Sequence, residues 1–258
     1  MDLDLKGKVA LVTGSSRGLG RSTAIRFLEE GARVVLTGLD DDQGRRTVAD
    51  LTQHFGDSCV FSFIGDIIHP EGIAECVQSV LQRFGYIDIL VANIGSGRGR
   101  AGWEVGEDEW SSMMDLNFHG SRRITNAVLP SMLTRKSGSI VYISSIAGKE
   151  AIGAPIHYGV AKAALIAYVK SLARTLGSSN IRANVVCPGN IYFEGGTWDL
   201  KLKENENAVT QMLKDRVPLN RFARPEEIAN LVVFLASERA SFITGSCVVA
   251  DGGQTLSV

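Results

Sequence analysis

Short runs of β-branched and apolar residues recur along the chain, each followed by a longer stretch whose apolar positions return every three or four residues. This alternation predicts β-α units arranged around a parallel sheet. Seven runs read as strands: residues 9–13, 34–37, 60–63, 87–92, 140–144, 182–187 and 247–250. Most are unbroken rather than alternating, as expected when helices cover both faces of a sheet. The prediction is an α/β, doubly wound, single domain over residues 1–258. Helices are expected over 19–30, 71–84 and 158–176, closed by Gly31, Gly85 and Gly177, because glycine just past the last periodic residue is a common helix stop. A further helical pattern covers 110–129.

The alternation breaks over residues 190–220, a polar stretch rich in Glu, Lys and Asn with Tyr192, Phe193 and Trp198 near its start. A segment of this length between a strand and a helix predicts a substrate lid, with an extra surface helix as the plainer alternative.

Charge and composition remove several classes of function. The 27 basic and 28 acidic residues nearly cancel, which excludes the broad positive field of non-specific nucleic-acid binding and an acidic disordered tail. The longest apolar runs, such as 87–92 and 228–236, fall short of the roughly 18–20 residues a membrane span requires. The N-terminal stretch MDLDLKGKVALVTG carries acid where a secretory signal would be basic, so it reads as mature sequence of a cytoplasmic protein. Cys59, Cys76, Cys187 and Cys247 lie at wide, irregular intervals. That spacing predicts small buried hydrophobes in a reducing compartment rather than a metal or redox centre.

The first strand runs into Thr13-Gly14-Ser15-Ser16-Arg17-Gly18-Leu19-Gly20 and then directly into a helical pattern. Glycines at such a turn permit a tight bend and a close approach of backbone N–H groups to a pyrophosphate on the helix N-terminus. The spacing is G-x-x-x-G-x-G rather than G-x-G-x-x-G, so its place between first strand and first helix matters as much as the motif. Gly14, Ser16, Arg17, Gly18, Leu19 and Gly20 are the candidate phosphate contacts. An acid at the end of the second strand would receive the ribose hydroxyls and repel a 2′-phosphate. The chain there reads Val34-Val35-Leu36-Thr37-Gly38-Leu39-Asp40. Gly38 in that place, together with Arg17 in the loop, favours NADP, while Asp40 and Asp41 nearby leave NAD open.

The fifth strand leads into Ser144-Ser145-Ile146-Ala147-Gly148; Tyr158 follows Ser145 by thirteen residues and Lys162 follows Tyr158 by four. An i, i+4 pair projects from one helix face, so both side chains address one small volume. A phenol titrates near pH 10, roughly, when isolated. A neighbouring ammonium favours the phenolate and lowers that value, which makes the pair a usable proton donor and acceptor. Ser145 would hydrogen-bond the same substrate oxygen and stabilise charge developing there.

Taken together, the chain resembles the short-chain dehydrogenase/reductase family over essentially its whole length. The resemblance rests on TGSSRGLG at 13–20, Asp66-Ile67 after the third strand, Asn93 with Gly95 after the fourth, Asn117, Ser145, Tyr158-x-x-x-Lys162, Pro188-Gly189, and TGSCVVADGG at 244–253. It implies a Rossmann-type fold with a seven-stranded parallel sheet, and reversible hydride transfer between nicotinamide and a carbonyl or secondary-alcohol carbon. Asn117, Ser145, Tyr158 and Lys162 would be the catalytic tetrad. Asp66 and Ile67 would hold the adenine, Asn93 and Gly95 the adjoining ribose, Tyr158 and Lys162 the nicotinamide end, and Pro188, Gly189 and Ile191 the nicotinamide itself. By the same resemblance, the backbone carbonyl of Asn117 would anchor a water linking Lys162 to solvent. Read as residues alone, Asn117 is also an exposed polar position and Asp66 a cap for the helix opening near Pro70. Two departures from the family pattern stand out: Ile94 replaces an alanine between Asn93 and Gly95, and Phe193 replaces a threonine that can touch the carboxamide.

Ile152, His157, Tyr192, Phe193 and Trp198 are the expected wall of an apolar or aromatic substrate pocket. Arg98 and Arg100 read either as receivers of a substrate anion or as a solvated loop. Lys136 matches one of two basic positions with which relatives dock an acyl carrier, whereas Ser179 stands at the other, which counts against a carrier-bound 3-oxoacyl substrate. The rival functional class is a non-catalytic, dinucleotide-binding redox regulator, which has no need of a proton relay; a nucleotide-sugar epimerase or dehydratase would usually need a longer chain. Apolar residues on more than one side of 158–176, among them Leu165, Tyr168, Val169 and Leu172, add to the resemblance in implying a homotetramer, with a further contact near the C-terminal strand.

Overall fold

The apolar runs become seven parallel strands: β1 (Val9–Val12), β2 (Arg33–Gly38), β3 (Val60–Ile64), β4 (Ile89–Ala92), β5 (Gly138–Ile143), β6 (Ile181–Pro188) and β7 (Cys247–Ala250). They lie in the order β3-β2-β1-β4-β5-β6-β7 in a computed structural model that describes residues 1–38 and 42–257. Leu39, Asp40 and Asp41, on which an NAD preference would turn, lie outside the described residues. The helices are α1 (Gly18–Glu29), α2 (Asp42–Phe55), α3 (Pro70–Phe84), α4 (Glu107–Met114), α5 (Gly120–Arg135), α6 (Ile156–Leu176), α7 (Thr197–Glu204), α8 (Glu206–Arg216) and α9 (Pro225–Ala236).

Successive strand residues point to opposite faces, and here both faces are covered. Val9, Leu11 and Leu90 pack with Ile73 of α3, Ile124 of α5 and Leu165 of α6. Ala10, Val12 and Val91 pack with Phe27 of α1, Leu51 of α2 and Val232 of α9. Leu11, Leu90 and Ile140 have no exposed surface, and each such side chain stabilises the fold by roughly 1.5–3 kcal/mol. The chain direction across the sheet reverses between β1 and β4, the crevice where doubly wound sheets bind ligands.

The helix α6 ends at Leu176 with Gly177 at its C-cap, as expected; a short turn over Gly177–Ser179 follows, and Asn180 takes the left-handed backbone with φ 55°. Two other local expectations are refined. The pattern over 110–129 is two helices, α4 and α5, joined by a π-turn at Asp115–His119 that contains Asn117. Residues 190–220 carry two short helices, α7 and α8, and the Asn205 side chain between them accepts a hydrogen bond from the Ala208 N–H (3.0 Å). The surface-helix alternative is thus correct about local structure, and it leaves the lid role a separate matter.

Candidate active site

Strand β1 delivers the glycine loop to the crevice, and β4 supplies the bracket that holds it. Asn93 Nδ2 donates to the carbonyls of Thr13 (3.0 Å) and Gly14 (3.2 Å), while its N–H donates to Thr13 Oγ1 (2.8 Å). Gly20 is obligatory because a Cβ there would stand 2.1 Å from the Gly14 oxygen. At Gly18, with φ 53°, the space a Cβ would take is faced by the Phe193 ring at 2.8–2.9 Å. Arg17 offers α1 no side-chain cap and the first turn holds no acid. The first N–H groups of the helix therefore remain available to an anion. This cradle fits a dinucleotide pyrophosphate by its missing side chains and its charge.

Beside the loop, Gly38 ends β2 without a carboxylate, and Ser15, Ser16, Thr37, Gly44 and Thr47 line an adjoining cleft. Arg17 is exposed, and its guanidinium reaches toward Gly195, 4.0 Å from where a Cβ would stand, rather than into that cleft.

The second half of the site comes from β5 and α6. Tyr158 and Lys162 lie one turn apart on α6, with Nζ 5.8 Å from the Tyr158 ring centre. Lys162 is buried, and Nζ donates to the Ile143 carbonyl at the end of β5 (3.0 Å). Ser144 Oγ donates to the Lys162 carbonyl (2.9 Å), tying the β5 end to the helix. Ser145 Oγ accepts from the Ala147 N–H (3.1 Å), which sets the turn that carries it. Both α6 side chains sit beneath the loop after β4. A Cβ on Gly95 would be 2.8 Å from Lys162 Nζ, and one on Gly97 would be 3.5 Å from the Tyr158 ring. Asn117, buried, anchors that loop through its side chain: Oδ1 accepts from the Ser96 N–H (3.0 Å) and Nδ2 donates to the Ser96 carbonyl (3.2 Å).

Electrostatics correct one expectation. Burial pushes Tyr158 above the ordinary phenol value, with the Ser145 hydroxyl pulling it partway back. Burial also pushes Lys162 down to about 8. Burial shifts both groups toward their neutral forms while leaving Lys162 charged below about pH 8, and desolvation rather than the ammonium sets the direction of the phenol's shift.

The remaining candidate residues make the following contacts within the protein. Asp66 Oδ1 accepts from the N–H groups of Ile68 (2.7 Å) and His69 (3.2 Å), and Oδ2 pairs with the His69 ring (2.5 Å). These contacts, the Ile68 bond foremost, lower its pKa; they brace the turn before α3, whose first N–H groups receive no side-chain cap. Ile67 and Leu19 bury their side chains in the two core layers. Pro188 ends β6, and Gly189 passes so close to Asp251 that a Cβ would stand 2.8 Å from its Cα. Ile191 forms a bridge with Ala223. His157 is buried beneath Gly99 and against Trp110, behind the loop rather than on an open wall. Tyr192 and Trp198 both pack on Phe222.

Arg98 Nη2 donates to the Gly195 carbonyl (2.9 Å), so the loop over Tyr158 touches the segment before α7. Asp199 fastens that segment by accepting from the Gly195 N–H (2.9 Å), Lys203 Nζ (2.7 Å) and Tyr192 Oη (3.2 Å). Sequence reasoning missed Ser96, Gly97 and Gly99 as the cover of the site. The alternating glycines of IGSGRGR were the available signal.

Comparison with known proteins agrees with this geometry. A family model described as enoyl-(acyl carrier protein) reductase matches residues 14–255. The 3-oxoacyl-[acyl-carrier-protein] reductase FabG of Chlamydia pneumoniae is 36% identical over 255 residues, 99% of this chain and 100% of that protein. The protein of the same name from Thermotoga maritima is 34% identical over 98% of this chain and 99% of its own length. L-sorbose reductase from Gluconobacter frateurii, solved with NADPH and L-sorbose, superimposes with a TM-score of 0.93 at 34% identity, covering 100% of both chains.

Proposed function

The chain belongs to the short-chain dehydrogenase/reductase family, and from that premise we propose that it is an NADP(H)-dependent oxidoreductase acting on a ketone or secondary alcohol. The observation that carries this reading is the meeting of Tyr158 with Lys162 and with the Ser145 hydroxyl beside a glycine-lined anion cradle. When bound, the nicotinamide supplies or accepts the hydride. In reduction, the Tyr158 hydroxyl gives its proton to the carbonyl oxygen, and Ser145 donates a hydrogen bond to that oxygen. The high pKa of Tyr158 keeps it protonated and ready to donate at neutral pH. Lys162 places its charge beneath the phenol, and Asn117 holds the covering loop over both.

NADP over NAD is supported by Gly38 at the end of β2 and by the NADPH in the sorbose reductase relative. Gly14, Ser16, Arg17, Gly18, Leu19 and Gly20 would hold the pyrophosphate, Asp66, Ile67, Asn93 and Gly95 the adenosine half, and Pro188, Gly189 and Ile191 the nicotinamide. Residues 190–220 would close over the substrate as a lid. The named relatives act on an acyl-carrier thioester and on a keto sugar, which supports a ketone as the shared chemistry. The four cysteines, all free thiols, suit a cytoplasmic setting, and a homotetramer pairing through α6 suits Ile156 and Val160, both 46% exposed on that helix.

The test is a panel of ketones with NADPH and NADH, run beside Tyr158→Phe. The variant should lose roughly 10²–10⁴-fold in kcat and keep dinucleotide binding. Near-normal turnover by Tyr158→Phe would overturn the reading.

A further inference from the structure

Cys187 and Cys247 lie on neighbouring strands at the edge of the sheet. In the β6–β7 register Cys247 stands opposite Val185 and Cys187 opposite Val249. The two cysteines are therefore diagonal neighbours on one face, and both pack in the core layer that contains Leu165 and Val169 of α6. Their Sγ atoms are 3.3 Å apart. Cys187 is buried, whereas Cys247 is half-buried on β7, which pairs with β6 alone. The Cys187 sulfur also lies against the Ser144-Ser145 turn, and its charge state is felt by both Tyr158 and Lys162.

We infer that Cys187 and Cys247 form a reversible disulfide in response to hydrogen peroxide, and that this bond suppresses turnover. The Cys247 thiolate attacks one peroxide oxygen and the O–O bond breaks. Hydroxide leaves and takes up a proton, and Cys247 becomes a sulfenic acid. The Cys187 sulfur then attacks the Cys247 sulfur, the S–O bond breaks, and the oxygen departs as water with the Cys187 proton. Two thiols lose two electrons in total, and one peroxide becomes two waters. Cys247 suits the first step: hydrogen bonding by the Cys187 thiol, helped by nearby Lys149, lowers its pKa, while the same contact pushes Cys187 up.

A disulfide holds its sulfurs about 2.05 Å apart, so closure draws the Cys187 sulfur toward β7 and off the turn that carries Ser145. Cys187 also precedes Pro188 directly. A displacement near 1 Å in a reacting constellation is worth about 10²-fold in rate. The loss of turnover rests on the reductase reading; the cross-link does not.

The full chain is treated with hydrogen peroxide, its remaining thiols are blocked, and an unreduced digest is mapped by mass spectrometry beside the NADPH-dependent assay. A Cys187–Cys247 peptide should appear, with turnover falling by roughly ten- to a hundredfold and returning with dithiothreitol. Cys247→Ser should keep its turnover through the same treatment, and Cys187→Ala provides a second variant should the first fold poorly. Absence of the linked peptide, a linked peptide with unchanged turnover, or equal loss in Cys247→Ser each overturns the switch. If no ketone is turned over even before oxidation, the reductase reading fails while the linked peptide still decides the thiol pair.

Discussion

Replacing Gly95 with alanine tests the packing of the site more directly than removal of any catalytic group. The added methyl would stand 2.6 Å from Asn117 Oδ1 and 2.8 Å from Lys162 Nζ, where ordinary contact begins at 3.4 Å. One or both groups must retreat by several tenths of an ångström. Lys162, 3% exposed, moves only by disturbing its 3.0 Å bond to the Ile143 carbonyl. Asn117 moves only by loosening the 3.0 Å bond it accepts from the Ser96 N–H. Overpacking of this kind costs about 1–3 kcal/mol, which lowers Tm by about 2–4 °C per kcal/mol in a chain of this size. Displacing the ammonium or the loop over Tyr158 should lower kcat by roughly 10²-fold. The assay is steady-state NADPH oxidation with a thermal melt of the same sample. Gly177→Ala serves as the control, since nothing lies within 4 Å of a Cβ there. A Gly95→Ala protein with unchanged kcat and Tm would refute the close packing of Asn117, Lys162 and the loop.

The pH profile follows from Lys162, whose pKa burial lowers to about 8. Its charge is present below that pH and lost above it, while the raised Tyr158 stays protonated, so ketone reduction should be flat near neutrality and fall as pH rises through about 8. The same depression means the unfolded chain binds the extra proton between about 8 and the ordinary 10.5, so this group's contribution makes stability rise with pH across that window; a Lys162→Met melt series should lose that rise. Gly38→Asp would put a carboxylate beside the expected 2′-phosphate, and the NADPH-to-NADH ratio of kcat/KM should drop by at least about tenfold through like-charge repulsion; an unchanged ratio would place the phosphate elsewhere. Asp199→Asn removes the charge that Lys203 and the Gly195 N–H hold. It should raise KM for the ketone several-fold with little change in Tm, and an unaltered KM would argue against a lid.

The strands were legible in the sequence because both faces of a parallel sheet are buried, so each strand is apolar throughout and stands out from its helices. Spacing alone also tied Tyr158 to Lys162, since four residues is one helical turn, and the glycine loop was legible as a turn that tolerates no side chains. What the sequence left undecided depends on which strands become neighbours. Asn93 grips Thr13 and Gly14 from about eighty positions away, Arg98 meets Gly195, and Phe193 covers Gly18, each across segments with no shared periodicity. The direction of the Tyr158 shift was likewise a tertiary outcome, because desolvation by burial is its largest cause. Cysteines at irregular intervals read as inert, yet the β6–β7 register brings two of them into contact. Periodicity records which face of an element is buried; strand order and register, set by packing over the whole domain, decide what that face touches.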